Sequence, residues 1–237
     1  RPTGGGMALN LDMNMTFFIV YRPNGIKGAQ TNWYDQAGLL SGRGSATPTN
    51  AWGITTASDG LEWGVNGTAA SVVTAPGGVV TSFVGPRLAT IERSNATATN
   101  NTGIYLNGVS PPTSGSTPMG SDLNAANTLY IGHQESLPGT AAWAGYYGDI
   151  IIYDNVMTTQ NREKVESYLA IKYGFTLGHN YIDQQADIIY ELDGTYETDI
   201  AGIGRHDNSE LDQRVSKSSN TLNALAIYSG IIASSFP

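Results

Sequence analysis

The chain has 237 residues, of which 40% are hydrophobic and 14% charged, with 29 glycines and no cysteine. Its formal net charge of −8 and its lack of a basic block argue against a nucleic-acid partner. The absence of cysteine excludes thiol chemistry. The sequence contains no apolar run of about 18 residues, so no membrane span is predicted. Short β-branched and aromatic runs alternate with Gly, Asn, Pro and Ser turns, which predicts an all-β sandwich.

The first half of the chain contains several such runs. The predicted strands are Met15–Tyr21, Ala37–Ser41, Ala51–Thr56, Gly60–Val65, Val79–Val84, Leu88–Arg93 and Thr102–Val109. Ser58-Asp59-Gly60 predicts a hairpin, because Asp-Gly favours the tight turns that join antiparallel strands. Asn107-Gly108 predicts a second turn for the same reason.

A strand at Thr128–His133 precedes the strongest local pattern, which is a strand followed by a helix. The isoleucine run in Asp149–Tyr153 predicts a strand that is covered on both faces. Thr158 or Thr159 is the expected N-cap of the helix, and Gly174 is the expected left-handed residue after its end.

The spacing of the helical residues predicts which face is buried. Apolar positions three and four apart, with the stem of a lysine, predict the inward face: Val165, Tyr168, Leu169 and Lys172. Charged positions predict the solvent face: Arg162, Glu163, Lys164 and Glu166.

Three strand-like runs follow the helix, at Ile188–Leu192, Ile200–Ile203 and Leu222–Ile232. We therefore expect a β-sandwich over residues 1–178 and a β extension over residues 179–237. The extension is expected to be either part of the same sandwich or the start of a following module.

The segment GDIIIYDNVMTTQNREKVESYLAIKYG (Gly148–Gly174) resembles the closing strand and helix of concanavalin A-like, laminin-G-like (LamG) domains of large bacterial surface proteins. The residues that match are Ile150, Ile152, Tyr153, Asp154, Met157, Thr158, Glu166, Tyr168, Leu169, Lys172, Tyr173 and Gly174. The segment Ile104–Gly108 (IYLNG) resembles another stretch common in these domains. The resemblance implies a two-sheet antiparallel jelly-roll sandwich with one amphipathic helix near residues 158–173. It also implies a secreted or cell-surface location in a bacterium.

Catalytic patterns are weak. A retaining glycosidase needs two carboxyls about 5 Å apart, whereas Glu62 and Glu92 are each the lone acid on their strand. The chain has no G-x-S-x-G elbow and no H-E-x-x-H motif. We therefore expect no enzymatic activity, with a glycoside hydrolase as the remote alternative.

Calcium is the one cofactor that we expect. The resemblance implies a calcium ion at a loop edge, and Asp207, Asn208 and Asp212 form the densest group of hard oxygen ligands. The spacing does not fit an EF-hand, and a plain turn is the alternative interpretation.

Glycan binding needs an aromatic face beside polar hydrogen-bonding groups. Trp33, Tyr34 and Asp35 lie in a polar stretch and are the main ligand-binding candidates, and His133 and Gln134 follow a predicted strand.

The other three tryptophans are assigned by their surroundings in the sequence. Trp52 and Trp63 lie in apolar runs and are expected in the core. Trp143 fits either role.

Two functions of different class follow. The first is a non-catalytic glycan-binding or adhesive module that binds a glycan or another cell-surface ligand. The second is a structural or assembly module of a surface adhesin, stalk or filament, in contact with neighbouring modules or with copies of itself.

Overall fold

The computed structural model describes residues 14–24, 33, 37–42, 52–56, 61–65, 73–75, 85–94, 102–109, 129–132, 143–194, 200–206, 211–217 and 226–228. The predicted strand at Val79–Val84 lies outside these residues. Within the described ranges, no helix has both the length and the apolar character needed to cross a membrane.

The strands before the helix are β1 (Met15–Pro23), β2 (Ala37–Gly42), β3 (Trp52–Thr56), β4 (Leu61–Val65), β5 (Val73–Ala75), β6 (Arg87–Arg93), β7 (Thr102–Leu106), β8 (Leu129–Ile131) and β9 (Gly145–Tyr153). Helix α1 spans Thr159–Tyr173. The strands after it are β10 (Tyr181–Ile182), β11 (Ile188–Tyr190), β12 (Gly204–His206), β13 (Leu211–Gln213), β14 (Val215–Lys217) and β15 (Ala226–Tyr228).

Two antiparallel sheets form the body of the protein. The four-stranded sheet has the order β7-β6-β1-β9, and the five-stranded sheet has the order β5-β4-β3-β2-β8. The predicted hairpin of β3 and β4 is confirmed, with Trp52 opposite Val65 and Thr56 opposite Leu61. The predicted all-β, two-sheet antiparallel sandwich with one helix is confirmed as well.

The main core lies between the two sheets, where residues of β1, β2, β3, β4, β6 and β7 are buried together. Phe17 of β1 contacts both Trp52 and Trp63 of the facing sheet, with ring centroids 5.4 Å and 5.6 Å apart. The predicted core positions of these two tryptophans are therefore confirmed. Trp143, left open by the sequence, is half-buried and packs against the edge of this core.

A second core lies on the other side of the four-stranded sheet, under α1. Strand β9 contributes to both cores, because Ile150 and Ile152 face the first and Ile151 and Tyr153 face the second. This alternation confirms that the isoleucine run is covered on both faces.

Helix α1 begins and ends at the residues that the sequence predicts. Thr158 has extended backbone angles, and its hydroxyl accepts a hydrogen bond from Asn161 N at 3.3 Å, so it is the N-cap. Gly174 has φ of 72° and donates its N–H to Ala170 O at 2.7 Å. Both predicted helix ends are confirmed.

The predicted solvent face of α1 is wrong at two positions. Arg162 and Glu166 are buried, although charged side chains normally face solvent. Each meets a polar partner on β6: Arg162 donates to Glu92 at 3.0 Å, and Glu166 accepts from Thr90 at 2.7 Å. These contacts compensate the loss of water around both charges.

The described residues after α1 add no strand to either large sheet, but pair with one another in three two-stranded sheets. They pack on the helix through hydrogen bonds such as Ile182 N to Ser167 Oγ and Ser216 Oγ to Ile171 O. The predicted strand at 200–203 is wrong, because the strand begins at Gly204. The last strand, β15, pairs with β14. The division of the chain at residue 178 stays a prediction.

Candidate functional site

The helix occupies the outer face of the four-stranded sheet. Phe18, Val20 and Leu88 point outward from β1 and β6 and pack against Leu169 of α1 and Phe175 beyond it. This face is therefore part of the second core.

The five-stranded sheet carries a different set of residues on its outer face. Leu40, Ile54 and Trp63 are mutual neighbours in adjacent strands and point into the core, so the residues between them point outward. One outward row consists of Tyr130, Ser41, Gly53 and Gly64, and the next contains Gly38, Thr55 and Glu62. We call these two rows the polar face.

An aromatic ring lies on the polar face. A Cβ atom added to Gly64 would overlap the ring of Trp33, so the indole lies directly over this glycine. Trp33 is only 1% exposed. The structure thus places the main aromatic candidate next to Glu62, as part of the buried floor of this face rather than as an open ring.

Thr55 and Glu62 are opposite each other in the β3–β4 pair and point to the same side. Thr55 is fully buried, and its hydroxyl has no hydrogen-bond partner among the described residues. Glu62 is half-buried, and burial raises the pKa of its carboxyl. A buried hydroxyl without a partner is costly, and a perturbed carboxyl beside it is typical of a binding site.

A cluster of charged groups lies on the opposite side of the molecule, under α1. Arg162 contacts Glu92 at 3.0 Å and Glu166 at 3.7 Å, and its guanidinium lies 4.0 Å from the ring centre of Tyr105. His179 approaches the second oxygen of Glu166 at 2.8 Å. Glu92 and Glu166 are thus held together by a shared arginine, which is an arrangement that stabilises the helix–sheet contact.

A shallow depression of about 340 Å³ lies near one end of α1. Its lining is mostly apolar and comes from Arg87, Leu106, Asn107, Val109, Thr176, Leu177 and Gly178. The two oxygens of Asn107 at its rim already accept hydrogen bonds. The side-chain oxygen accepts from Leu88 N at 2.8 Å, and the backbone carbonyl accepts from Gly178 N at 2.9 Å.

The other predicted site residues lie outside the described ranges or show only their backbone. Tyr34, Asp35, His133, Gln134, Asp207 and Asn208 lie outside. Asp212 lies in β13 opposite Arg205. No group of three metal-ligating side chains occurs among the described residues.

The sequence alone did not indicate Ser41, Thr55 or Tyr130 as site residues, and it indicated Glu62 only as a lone acid. The alternation of large apolar with small or polar residues in WGITT and LEWGV is the signal that marks an outward polar row.

Comparisons with known proteins support the fold. The heptameric SAP-like pentraxin from Limulus polyphemus matches with a TM-score of 0.51 and 16% identity, over 92% of this chain and 84% of that chain. The NanB sialidase from Streptococcus pneumoniae matches with a TM-score of 0.50 and 10% identity, over 70% of this chain and 26% of that chain. The Ruminococcus gnavus IT-sialidase CBM40 bound to α2,3-sialyllactose matches with a TM-score of 0.49 and 14% identity, over 67% of this chain and 89% of that chain.

A family model described as a domain of unknown function (DUF8202) matches residues 161–236. This region contains most of α1 and the segment that packs on it. No curated protein matches the sequence. The laminin-G-like family stays a prediction. At 16% identity the pentraxin match establishes the fold alone, and the chain is a jelly-roll β-sandwich of the kind found in that pentraxin.

Proposed function

We propose that this chain is a non-catalytic glycan-binding module of a bacterial extracellular or cell-surface protein. Its ligand is proposed to lie on the polar face of the five-stranded sheet. The observation that carries the proposal is the half-buried carboxyl of Glu62 beside the buried hydroxyl of Thr55, which has no hydrogen-bond partner in the described part of the chain, on the face where Trp33 lies.

The chemistry of this face suits a sugar. A carboxylate accepts hydrogen bonds from sugar hydroxyls, and a threonine hydroxyl both donates and accepts. Tyr130 adds a half-buried aromatic ring in the neighbouring row, which suits the apolar face of a sugar ring. Trp33 covers this face at Gly64, and its own ring is buried.

A non-catalytic role is consistent with the positions of the acids. Glu62 and Glu92 lie on different sheets, and Glu92 is bound to Arg162. A glycosidase would need a second carboxyl within about 5–10 Å of Glu62 on the same face. On the described part of the polar face, Glu62 is the one carboxyl.

A second function, as an assembly module, is favoured by exposed apolar residues after the helix. Ile188, Ile189 and Val215 are 57%, 54% and 65% exposed. Exposed apolar side chains in strands favour contact with another protein surface. Sedimentation of the purified chain over a range of concentrations tests this role, and a monomer at every concentration would contradict it.

Calcium binding by Asp207, Asn208 and Asp212 is also proposed. Thermal unfolding with calcium and with a chelator tests it, using the Asp207→Asn/Asp212→Asn variant as the control. A melting temperature that is the same in both conditions would contradict a structural ion.

The glycan proposal is tested by binding to an immobilised glycan panel, followed by calorimetric titration of the sugars that bind. We expect Glu62→Gln to weaken binding about tenfold or more, since a hydrogen bond to a charged group contributes about 1.5–3 kcal/mol. Glu191→Gln is the matched control, because Glu191 is an exposed acid after the helix. Equal affinity in the two variants would contradict the placement of the ligand.

A further inference from the structure

We infer that residues 175–192 form a pH-sensitive strap, which is held closed on the Asn107-Gly108 turn by protonated His179 and opens more often when His179 is neutral. The strap follows α1 and contains β10 and β11. The opening is local, because the two large sheets stay folded while the strap leaves the turn. It does not depend on any ligand of the polar face.

The first observation is the turn on which the strap lies. Leu106 and Val109 exchange two backbone hydrogen bonds of 2.8 and 3.0 Å around Asn107-Gly108, whose φ angles are 48° and 77°. These features define a two-residue hairpin turn. Gly178 of the strap donates its N–H to Asn107 O at 2.9 Å. A Cβ added to Gly178 would overlap the side chain of Val109, so the strap backbone packs directly on the turn.

The second observation is the position of His179 between this turn and the helix. A Cβ added to Gly108 would overlap the imidazole, so the ring lies directly over this glycine. Its Nε2 atom lies 2.8 Å from Glu166 Oε2, and its Nδ1 atom lies 2.8 Å from Asn180 O. Both of these oxygens are acceptors, and only the imidazolium has an N–H for each of them. A neutral ring must therefore give up one of the two hydrogen bonds.

The charges around the ring favour its protonated form. Burial lowers the pKa of this histidine. Hydrogen bonds to Glu166 and Asn180 and the charges of Glu166 and Glu163, both on α1, outweigh burial and raise the pKa above 6.5. The Asn107-Gly108 turn adds no titratable side chain on the other side of the ring.

The third observation is that Glu166 is held by the body of the protein independently of the strap. Thr90 donates to its Oε1 atom at 2.7 Å, and Arg162 lies 3.7 Å from its Oε2 atom. Arg162 is itself fixed by Glu92 at 3.0 Å and by the ring of Tyr105, whose centre lies 4.0 Å away. The carboxylate thus stays in place when the imidazole loses its proton, and the loss falls on the strap.

The strap can open without unfolding the sandwich. In the described part of the chain it pairs with neither large sheet, so its opening breaks no ladder of theirs. Phe175, Leu177 and Tyr181 are buried in the second core, so the closed form predominates at every pH. A raised pKa in the closed form favours closure fully below the pKa of a solvated histidine, about 6.5. This preference is lost as pH rises through the pKa of the closed form.

Amide hydrogen exchange of the whole chain at pH 6 and pH 9 tests the inference. Each rate is divided by the intrinsic rate at that pH, with labelling pulses short enough for the faster exchange at pH 9. The reporters are the amides of Gly178 and Ile182, and the amides of β1 and β6 are the reference. We expect the protection of the strap amides to fall about fivefold or more between these pH values, since a hydrogen bond to a charged group is lost.

A local opening has a second signature. The strap amides are expected to be less protected than the sheet amides at both pH values. Their exchange should also depend little on dilute urea, because a small opening exposes little surface. Sheet amides that exchange through global unfolding should depend strongly on urea.

His179→Gln is the diagnostic variant, and His206→Gln, in β12 outside the strap, is the matched control. The protection of the strap amides should no longer depend on pH in His179→Gln and should keep its full dependence in His206→Gln. Ring titration of His179 in the unaltered chain, followed by nuclear magnetic resonance, covers the case in which His179→Gln does not fold. The loss of strap protection should have the same midpoint as the titration of this ring.

Each other outcome overturns a stated part. Equal strap protection at pH 6 and pH 9 overturns the pH sensitivity. An unchanged pH dependence in His179→Gln, or a midpoint that differs from that of the ring, overturns the role of His179. Equal protection and equal urea dependence of strap and sheet amides overturn the local opening.

Discussion

The Nε2 atom of His179 lies 2.8 Å from the Oε2 atom of Glu166, and this contact joins the segment after α1 to the helix. The Nδ1 atom of the same ring lies 2.8 Å from the carbonyl oxygen of Asn180, which can only accept. Nδ1 therefore carries a proton, and Nε2 needs another to bind the carboxylate. The pair is best described as an imidazolium with a carboxylate.

This pair predicts a loss of stability at alkaline pH. Burial lowers the pKa of His179, but hydrogen bonds to Glu166 and Asn180 and the charges of Glu166 and Glu163 outweigh burial and raise the pKa above 6.5. A raised pKa stabilises the fold fully below the unfolded pKa, and this stability is lost as pH rises through the folded pKa.

We expect the free energy of unfolding to fall by on the order of 1 kcal/mol between about pH 6 and pH 9 from this group. Denaturant unfolding across that range measures it, with His179→Gln as the control that lacks the titration. The same slope in the variant and the unaltered chain would show that other groups cause the dependence.

Arg162→Met is expected to destabilise the protein by about 3–5 kcal/mol, because it leaves Glu92 buried without its cation and leaves Glu166 with His179 alone. Lys164→Met, a change of the same kind at a half-exposed helix position, is expected to change stability by less than about 0.5 kcal/mol. Urea unfolding of both variants measures the difference.

A double-mutant cycle separates pairing from packing in this cluster. Adding Glu92→Gln to Arg162→Met is expected to recover part of the loss, since one unpaired charge is removed. Additive effects of the two changes would contradict direct coupling.

Gly108 is expected to tolerate no side chain. It has φ of +77°, and a Cβ added there would lie 2.6 Å from Nε2 of His179. Gly108→Ala should therefore carry both backbone strain of about 1–2 kcal/mol and a steric clash of about 1–3 kcal/mol.

Gly132→Ala is the matched control for this change. Gly132 has φ of +74°, but the nearest atom to an added Cβ is 3.6 Å away, so it should show the backbone strain alone. Thermal unfolding compares the two variants. Combining Gly108→Ala with His179→Ala should restore the part of the stability that the clash with the histidine ring removes. Equal losses at positions 108 and 132 would contradict the predicted contact.

Gly64→Ala is expected to displace the indole of Trp33 and to cost about 1–3 kcal/mol, because an added methyl would overlap the ring. Combining it with Trp33→Ala is expected to cost less than the sum of the two single changes. Additive losses in chemical unfolding would show that the ring does not lie over this glycine.

Local signals made the helix predictable. Thr158 and Gly174 act through bonds within one turn, so sequence alone located both ends. The contact between the IYLNG segment and the residues after the helix could not be predicted. It depends on a hydrogen bond from Gly178 N to Asn107 O, and these two residues are far apart in the sequence.

Arg162 and Glu166 show why the buried charges were misjudged. Their partners Glu92 and Thr90 lie 70 and 76 residues earlier, and only the packed sheet brings them together. Without these partners, the rule that charges face solvent gives the wrong face of the helix.

The candidate site could be predicted only in part. Trp33 and Glu62 were visible as residues of interest, but their placement on one face depends on strand register, which places Gly64 under the indole and Thr55 opposite Glu62. The register depends on the loops that join the paired strands, and sequence patterns do not define the geometry of those loops.

The most direct test of glycan binding on the polar face is a nuclear magnetic resonance titration of the isotope-labelled chain. The probe is the sugar that binds most tightly in the calorimetric titration, and the readout is the change in each backbone amide shift. We expect the largest changes at Ser41, Gly53, Thr55 and Glu62. Changes confined to the depression around Asn107 and Thr176, or to α1, would contradict a ligand on the five-stranded sheet.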